Sequence, residues 1–339
     1  MRILLTGAGG FVGSHALRHI LATTDAEVVC PVTFQHKGLA DRIRLAMDDM
    51  PDAAHRVHVV RCDLATPISA VTDREFGPIT VVLNFASESH VDRSITHPGP
   101  FIQNNVALMT NLLDWARTRR LDAFVQISTD EVYGPAAPGT AHREWEDLHL
   151  PSNPYSASKA AQEDICFAYW RTYDLPIMLT NTMNIIGETQ DPEKFVPLVI
   201  KRVLADEKVV IHASKDGVPG SRFYLHARNQ ADGVLHALAA GMDGGLRYSD
   251  GVADMPFRAH IVGEHEVSNL DMAQTIAALV GRPLNYALDY NGSRPGHDLR
   301  YALDGTQMSD LGWTPPVPLG ESLARTVQWT LAHPEWLQG

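Results

Sequence analysis

The sequence predicts an α/β protein built on a parallel sheet with helices on both of its faces. Two observations carry that expectation. Short apolar runs alternate with helix-period stretches through the first half of the chain, and a glycine-rich turn stands where the first run gives way to the first helix. At 339 residues the chain also exceeds an average domain, so a smaller mixed α/β lobe is expected beside the sheet.

The elements follow in order. Ile3-Leu4-Leu5 is a strand closed by Thr6-Gly7, and apolar positions recur at helical spacing from Phe11 to Leu21. Further strands are expected at Glu27 to Cys30, Val57 to Val60, Val81 to Phe85 and Phe124 to Ser128, with a helix over Asn104 to Arg119. After about residue 180 proline and glycine increase, as at Lys215 to Ser221 and Arg282 to Asp298, which suits a loop-built lobe. Ala231 to Ala240 reads as a helix and Phe257 to Val262 as a strand, so the chain returns to the first lobe before finishing in the second. Leu270 to Val280 is an amphipathic helix stopped by Gly281 and Pro283. The expected division is 1–180, with a returning segment at about 224–263, for the sheet domain, and 181–223 with 264–339 for the second lobe.

Composition narrows the function. Apolar residues make up 45% and charged residues 20%, as in an ordinary globular protein with a buried core. A net charge of -12 argues against a nucleic-acid binder, which needs a clustered basic surface. Cys30, Cys62 and Cys166 are far apart and form no CxxC or Cys/His pattern, so a reducing compartment and no metal centre are expected. The N-terminus lacks the form of a signal peptide, and no apolar run approaches the roughly 18 residues of a membrane span. The expected location is the cytoplasm.

Gly7-Ala8-Gly9-Gly10-Phe11-Val12-Gly13 gives a GxxGxxG spacing between strand and helix. Gly7 allows a sharp turn, Gly10 lets backbone approach a pyrophosphate, and Gly13 permits close packing of helix on strand, with the helix N-terminal amides facing the anion. The fold is therefore expected to be a doubly wound sheet of the Rossmann type that binds a dinucleotide. The second strand normally ends in an acid for the adenosine ribose, but Val29 to Lys37 contains none. His36 and Lys37 leave two readings open: contacts to a 2′-phosphate, which favours NADP, or solvated loop residues. Asp63 of Cys62-Asp63-Leu64 likewise is either an acceptor for the adenine amino group or a loop cap.

Tyr155 and Lys159 lie at i and i+4 in Pro154-Tyr155-Ser156-Ala157-Ser158-Lys159-Ala160, where Asn153 suits an N-cap and Pro154 the first turn. A neighbouring ammonium and a positive nicotinamide ring both favour a phenolate, so Tyr155 is placed to take the proton of a sugar hydroxyl while its carbon loses hydride. Upstream, Ser128-Thr129-Asp130-Glu131 ends the fifth strand, at the sheet edge where ligands sit in open parallel sheets. Thr129 is suited to bond the reacting hydroxyl, and two adjacent acids follow it.

These stretches resemble the extended short-chain dehydrogenase/reductases, and among them the nucleoside-diphosphate-glucose 4,6-dehydratases. The matching motifs are TGAGGFVGS from Thr6, NFASESHVDRSI from Asn84, ISTDEVYG from Ile127, PYSASKA from Pro154, PEKFVPL from Pro192 and RPGHDLRYALD from Arg294. The Thr-Asp-Glu run is the specific part. The resemblance implies that Tyr155 and the cofactor oxidise C4 of a nucleotide-linked hexose, that Glu131 removes the C5 proton, and that a protonated Asp130 releases the C6 hydroxyl. NAD is the implied cofactor, with NADP the alternative that local charge favours, and Leu64, Ala86, Ser87 and Asn104 join the glycine loop in holding it. Ser89 is implied at the hexose, and Asn184, Lys194, Arg222, Asn269, Arg294 and His297 at the nucleotide and diphosphate. The resemblance also implies a homodimer paired through Asn104 to Arg119 and Pro154 to Trp170.

Two stretches depart from the family. Asn184-Ile185-Ile186-Gly187-Glu188 replaces Asn-Asn-Tyr-Gly-Pro, and Phe223-Tyr224-Leu225-His226 replaces an Asp-Trp-containing run, which leaves the base and sugar open. The competing readings are a 4-epimerase or a dehydratase of other regiochemistry, and a non-catalytic dinucleotide sensor.

Overall fold

The computed structural model describes residues 1–35, 37–244, 247–249, 254–290 and 299–338. Strands β1 (Arg2–Thr6), β2 (Glu27–Val32), β3 (Val57–Arg61), β4 (Val81–Asn84), β5 (Ala123–Ile127) and β6 (Ile177–Thr182) are separated by α1 (Phe11–Thr23), α2 (Ala40–Asp48), α3 (Ala70–Phe76), α4 (Val91–Thr96), α5 (Pro98–Ala116) and α6 (Pro154–Tyr173). The chain continues through β7 (Ile185–Ile186), α7 (Phe195–Leu204), β8 (Val209–His212), β9 (Ser221–Phe223), β10 (Leu225–His226), α8 (Ala227–Asp243), β11 (Arg247–Ser249) and β12 (Asp254–Ile261). It closes with β13 (Glu266–Ser268), α9 (Asn269–Val280), β14 (Tyr286–Asp289), α10 (Thr306–Asp310) and α11 (Leu319–Ala332).

The main sheet has the order β3-β2-β1-β4-β5-β6-β12-β11; all its pairings are parallel except β11 with β12 at the edge. The order in which the chain lays down strands reverses between β1 and β4, which opens a crevice beyond their carboxyl ends. Both faces are covered, so the strands read as unbroken apolar runs rather than as alternating ones. Ile3, Leu5, Val28, Cys30 and Val125 face α1 and α8, while Leu4, Val29, Val82, Phe124 and Ile177 face α5 and α6. Side chains on a strand alternate faces, and that period divides one continuous sequence between two cores.

A third core gathers Val196, Val199 and Ile200 of α7, Ile211 of β8, Met272 and Ile276 of α9, and Leu323 and Val327 of α11. β8 pairs in parallel with β14 there. The expected helix at Asn104 to Arg119 begins already at Pro98, whose missing N–H costs nothing in a first turn. Among the described residues no helix is long and apolar enough to cross a membrane.

Candidate functional site

A cleft of about 630 Å³ runs over the carboxyl ends of the central strands. The glycine loop, Thr129, Asp130, Glu131, Tyr155 and Lys159 all line it. Gly7 turns with φ +71°, and a Cβ there would lie 2.8 Å from the Ala86 nitrogen. A Cβ on Gly13 would lie 2.1 Å from the Gly7 carbonyl oxygen, so α1 touches the turn backbone to backbone. No side chain caps α1 at Gly10, which leaves its first-turn amides facing the cleft as an anion cradle. These features fit the pyrophosphate of a dinucleotide.

Asn153 caps α6 through a reciprocal capping box with Ser156, with Pro154 in the first turn, as the sequence predicts. Lys159 is buried one turn on, its Nζ donating to the Ile127 carbonyl at 2.7 Å and to Gln162 Oε1 at 2.8 Å. Burial lowers its pKa to about 8 against the pull of Glu163. The Tyr155 hydroxyl bonds Thr129, and burial, then Glu131, then Asp130, push its pKa above the ordinary phenol value. The ammonium is turned toward Ile127 and Gln162, and burial first, then the two acids, favour the neutral phenol that a positive nicotinamide ring is expected to oppose.

Thr129 caps a short 3₁₀ turn, Asp130–Tyr133, so the adjacent acids leave its first residues in different surroundings. Asp130 is buried; its Oδ1 accepts from the Thr129 hydroxyl at 2.9 Å, while Oδ2 is enclosed without a hydrogen-bond partner. Burial first, then Glu131, raise its pKa to about 7, with Thr129 and Arg222 opposing. Glu131 is half-buried and accepts from Asn153 Nδ2 at 3.2 Å. One acid is thus disposed to keep its proton and the other is held by an amide donor, the uneven pairing that acid–base work requires.

Ser89, Asn104, Asn184, Lys194, Arg222 and Asn269 also line the cleft. The Asn184 Oδ1 is buried and unpartnered. Arg222 donates to the Leu299 carbonyl at 2.6 Å and lies over the Tyr301 ring at 4.7 Å. Asn269 Oδ1 accepts from Tyr224 at 2.7 Å. Asp63, Leu64, Ala86 and Ser87 line the same cleft, and Asp63 Oδ1 accepts from the Ala65 amide at 2.9 Å. His36, Arg294 and His297 lie outside the described residues.

Sequence reasoning missed the support behind the cleft. Glu163 lies four residues after Lys159 and is fully buried; it pairs with Arg258 of β12 at 2.6 Å, accepts from Asn181 at 2.7 Å, and meets His149 at 3.2 Å. Asn181 in turn donates to the Thr129 carbonyl at 3.1 Å. The i, i+4 spacing to Lys159 was a readable signal for Glu163; nothing local marked Arg258.

His15, Glu188 and His226 bring three potential ligand atoms within 4.8 Å of one another. Hydrogen bonding decides their role. His226 Nδ1 accepts the Arg228 amide at 3.0 Å, so in the neutral ring Nε2 carries the proton and donates to Glu188 Oε2 at 2.9 Å. His15 Nε2 faces the Glu188 carbonyl, an acceptor only, at 3.0 Å. Both nitrogens that a metal would need are donors, and Arg325 occupies the other carboxylate oxygen at 2.7 Å. The cluster ties α1, β10 and α11 to the turn after β7.

Residues 3–248 match the NAD dependent epimerase/dehydratase family. The chain belongs to that family. Within it, this NAD dependent epimerase/dehydratase is similar to curated dTDP-glucose 4,6-dehydratases. That of Xanthomonas campestris pv. campestris is 38% identical over 76% of this chain and 74% of its own, and that of Escherichia coli K12 is 34% identical over 99% and 94%. Among solved structures, DesIV (dTDP-glucose 4,6-dehydratase) from Streptomyces venezuelae with NAD and TYD bound matches at a TM-score of 0.85 and 30% identity, covering 100% of this chain and 99% of that one. A UDP-glucuronic acid 4-epimerase from Bacillus cereus, at 23% identity and a TM-score of 0.83, shares the fold. The family resemblance seen in the motifs therefore holds over the whole length.

Proposed function

We propose that this protein is an NAD-dependent 4,6-dehydratase of a nucleoside-diphosphate hexose, releasing a 4-keto-6-deoxy sugar nucleotide. The observation that carries the reading is the buried Asp130, with one carboxyl oxygen unpartnered, next to Glu131 and in the same cleft as Tyr155 and the glycine loop. An epimerase needs the phenol but has no use for a second, protonated acid.

Residues 1–180 and about 224–263 hold the dinucleotide, through Gly7, Gly10, Phe11, Val12 and Gly13 at its pyrophosphate and Asp63, Leu64, Ala86, Ser87 and Asn104 along its length. NAD bound there would supply the hydride acceptor for sugar C4 and the hydride donor for C6. Tyr155, hydrogen-bonded to Thr129, takes the C4 hydroxyl proton; a positive ring nearby offsets the burial and the two acids that otherwise keep the phenol neutral. A C4 carbonyl acidifies the C5 proton, which Glu131 accepts; once hydride reaches C6, Glu131 returns a solvent-exchanged proton to C5. Asp130 gives its proton to the C6 hydroxyl, which leaves as water. Residues 181–223 and 264–339 hold the nucleotide: Lys194, Arg222, Arg294 and His297 at the diphosphate and base, Asn184 and Asn269 beside them, and Ser89 at the hexose. Arginine suits that place because its planar fork matches phosphate oxygens.

The protein works as a homodimer joined through α5 and α6, which pack on each other along the sheet face. The three free cysteines suit a cytoplasmic setting.

The test is Glu131→Gln. That variant binds NAD as the parent does, yet forms no keto-deoxy product from a nucleoside-diphosphate hexose and places no solvent deuterium at C5. Full turnover by Glu131→Gln, or a product of unchanged mass from the parent, overturns the assignment.

A further inference from the structure

The strand that normally presents an acid to the adenosine ribose ends here in Val32-Thr33-Phe34-Gln35, none of them acidic, yet acids do reach this end of the cleft from the other side. The loop after β2 folds back on the glycine turn, with the Leu39 amide donating to the Gly9 carbonyl at 2.8 Å. From it Lys37 extends to Glu193 Oε2 at 3.2 Å and to Asp191 Oδ1 at 3.9 Å. Arg42, buried at the start of α2, meets Asp191 Oδ2 at 3.3 Å. Its guanidinium also donates to backbone: Nε and Nη2 to the Thr189 carbonyl at 3.2 and 2.7 Å, and Nη1 to the Lys37 carbonyl at 2.7 Å. Glu193 is fixed on its far side by His90, whose Nδ1 accepts the Arg93 amide at 3.1 Å, leaving Nε2 to donate to Oε1 at 3.1 Å. Lys194, the next cation along, reaches toward the Ser89 carbonyl at 3.4 Å. All of these residues except Leu39 and Thr189 line the cleft.

We propose that Asp191 and Glu193 determine the preference for NAD over NADP, standing in for the missing ribose acid from across the cleft. The argument rests on the dinucleotide chemistry proposed above. Lys37 and Arg42 are the two cations that a 2′-phosphate would seek at the end of β2, and each is already matched by a carboxylate. The four charges sum to zero. A 2′-phosphate entering there must either displace Glu193 from Lys37 or sit against two carboxylates, and like charges at such separations repel strongly in a partly buried site. A ribose hydroxyl meets no such opposition. Arg42 is poorly placed as the phosphate receptor, because its guanidinium is almost wholly buried and already bridges two backbone carbonyls and Asp191. The device is spread over segments about 150 residues apart, which is why neither segment alone carries an NAD signature.

Calorimetric titration of the full chain, freed of bound dinucleotide, with NAD⁺ and with NADP⁺ tests this. The parent should favour NAD⁺ clearly. Asp191→Asn/Glu193→Gln should raise NADP⁺ affinity about tenfold or more while NAD⁺ affinity stays within about threefold. Adding Lys37→Ala to that pair should abolish the gain, since the freed ammonium is its source. Circular dichroism melts of each variant establish that the fold is kept, and the single Glu193→Gln variant serves if the pair unfolds. An NADP⁺ affinity unchanged in a folded variant, or both affinities falling together, overturns the proposal. A parent that binds neither dinucleotide overturns the functional reading along with it.

Discussion

Replacing Asp130 with asparagine should make the protein more stable and less active, and the two effects should share one pH dependence. The carboxyl is buried, its Oδ2 has no partner, and its pKa is raised from 3.8 to about 7. That difference, about 3 units at about 1.4 kcal/mol each, corresponds to about 4 kcal/mol by which the fold disfavours the ionised form. The folded chain holds this proton more tightly than the unfolded chain does, so the stability contribution is whole at low pH and is lost as pH rises from about 4 through about 7. Asparagine does not titrate. The melting temperature of Asp130→Asn relative to the parent should therefore climb between pH 5 and pH 8 by about 3 kcal/mol equivalent, or about 4 °C for a chain of this length. Over the same range kcat/KM of the parent should decline above pH about 7 as the acid is lost, while Asp130→Asn should fall by about 10²–10⁴ and lose that limb. The assays are scanning fluorimetry and initial rates across matched buffers. A stability gap that is flat with pH, or a limb near pH 7 that persists in the variant, refutes the assignment of the proton to Asp130.

Other variants address other parts of the site. Tyr155→Phe should bind dinucleotide unchanged but lose about 10²–10⁴ in kcat, a split that ligand titration and turnover together reveal. Glu163→Gln strands the Arg258 guanidinium in a buried site and should cost about 3–5 kcal/mol, read as a drop of about 4–7 °C in melting temperature; Glu163→Gln/Arg258→Met should recover much of it, and failure to recover argues that the pair is not the source. Gly13→Ala drives a methyl group into the Gly7 carbonyl and should weaken NAD binding along with stability, the latter by about 1–3 kcal/mol, whereas normal binding would mean the turn can open without cost.

What the sequence disclosed and what it withheld divide along a physical line. The glycine turn, the α6 capping box and the i, i+4 pair of Tyr155 and Lys159 are local, with each role set by neighbours a few residues away, and the structure realises each of these arrangements. Spacing put Lys159 near Tyr155, but not the direction of its Nζ, which Ile127 and Gln162 decide from other elements. Lys37 looked like a phosphate receptor because its partners Asp191 and Glu193 are far away in the chain. Arg258 offered no signal at all, sitting in an apolar strand as an unexplained charge until Glu163 and the Trp145 ring, 4.1 Å from its guanidinium, surround it.

The place of β12 in the main sheet bears on how the chain can be divided. A fragment ending near residue 180 contains the glycine turn, the acids and the Tyr/Lys helix, and looks like a self-sufficient minimal enzyme. It would leave β6 with a bare row of amides and carbonyls along one side, and Glu163 in the interior without Arg258, with His149 its remaining charged partner. Anyone trimming this protein, or grafting its second lobe onto another scaffold, must carry strand 254–261 with the front half.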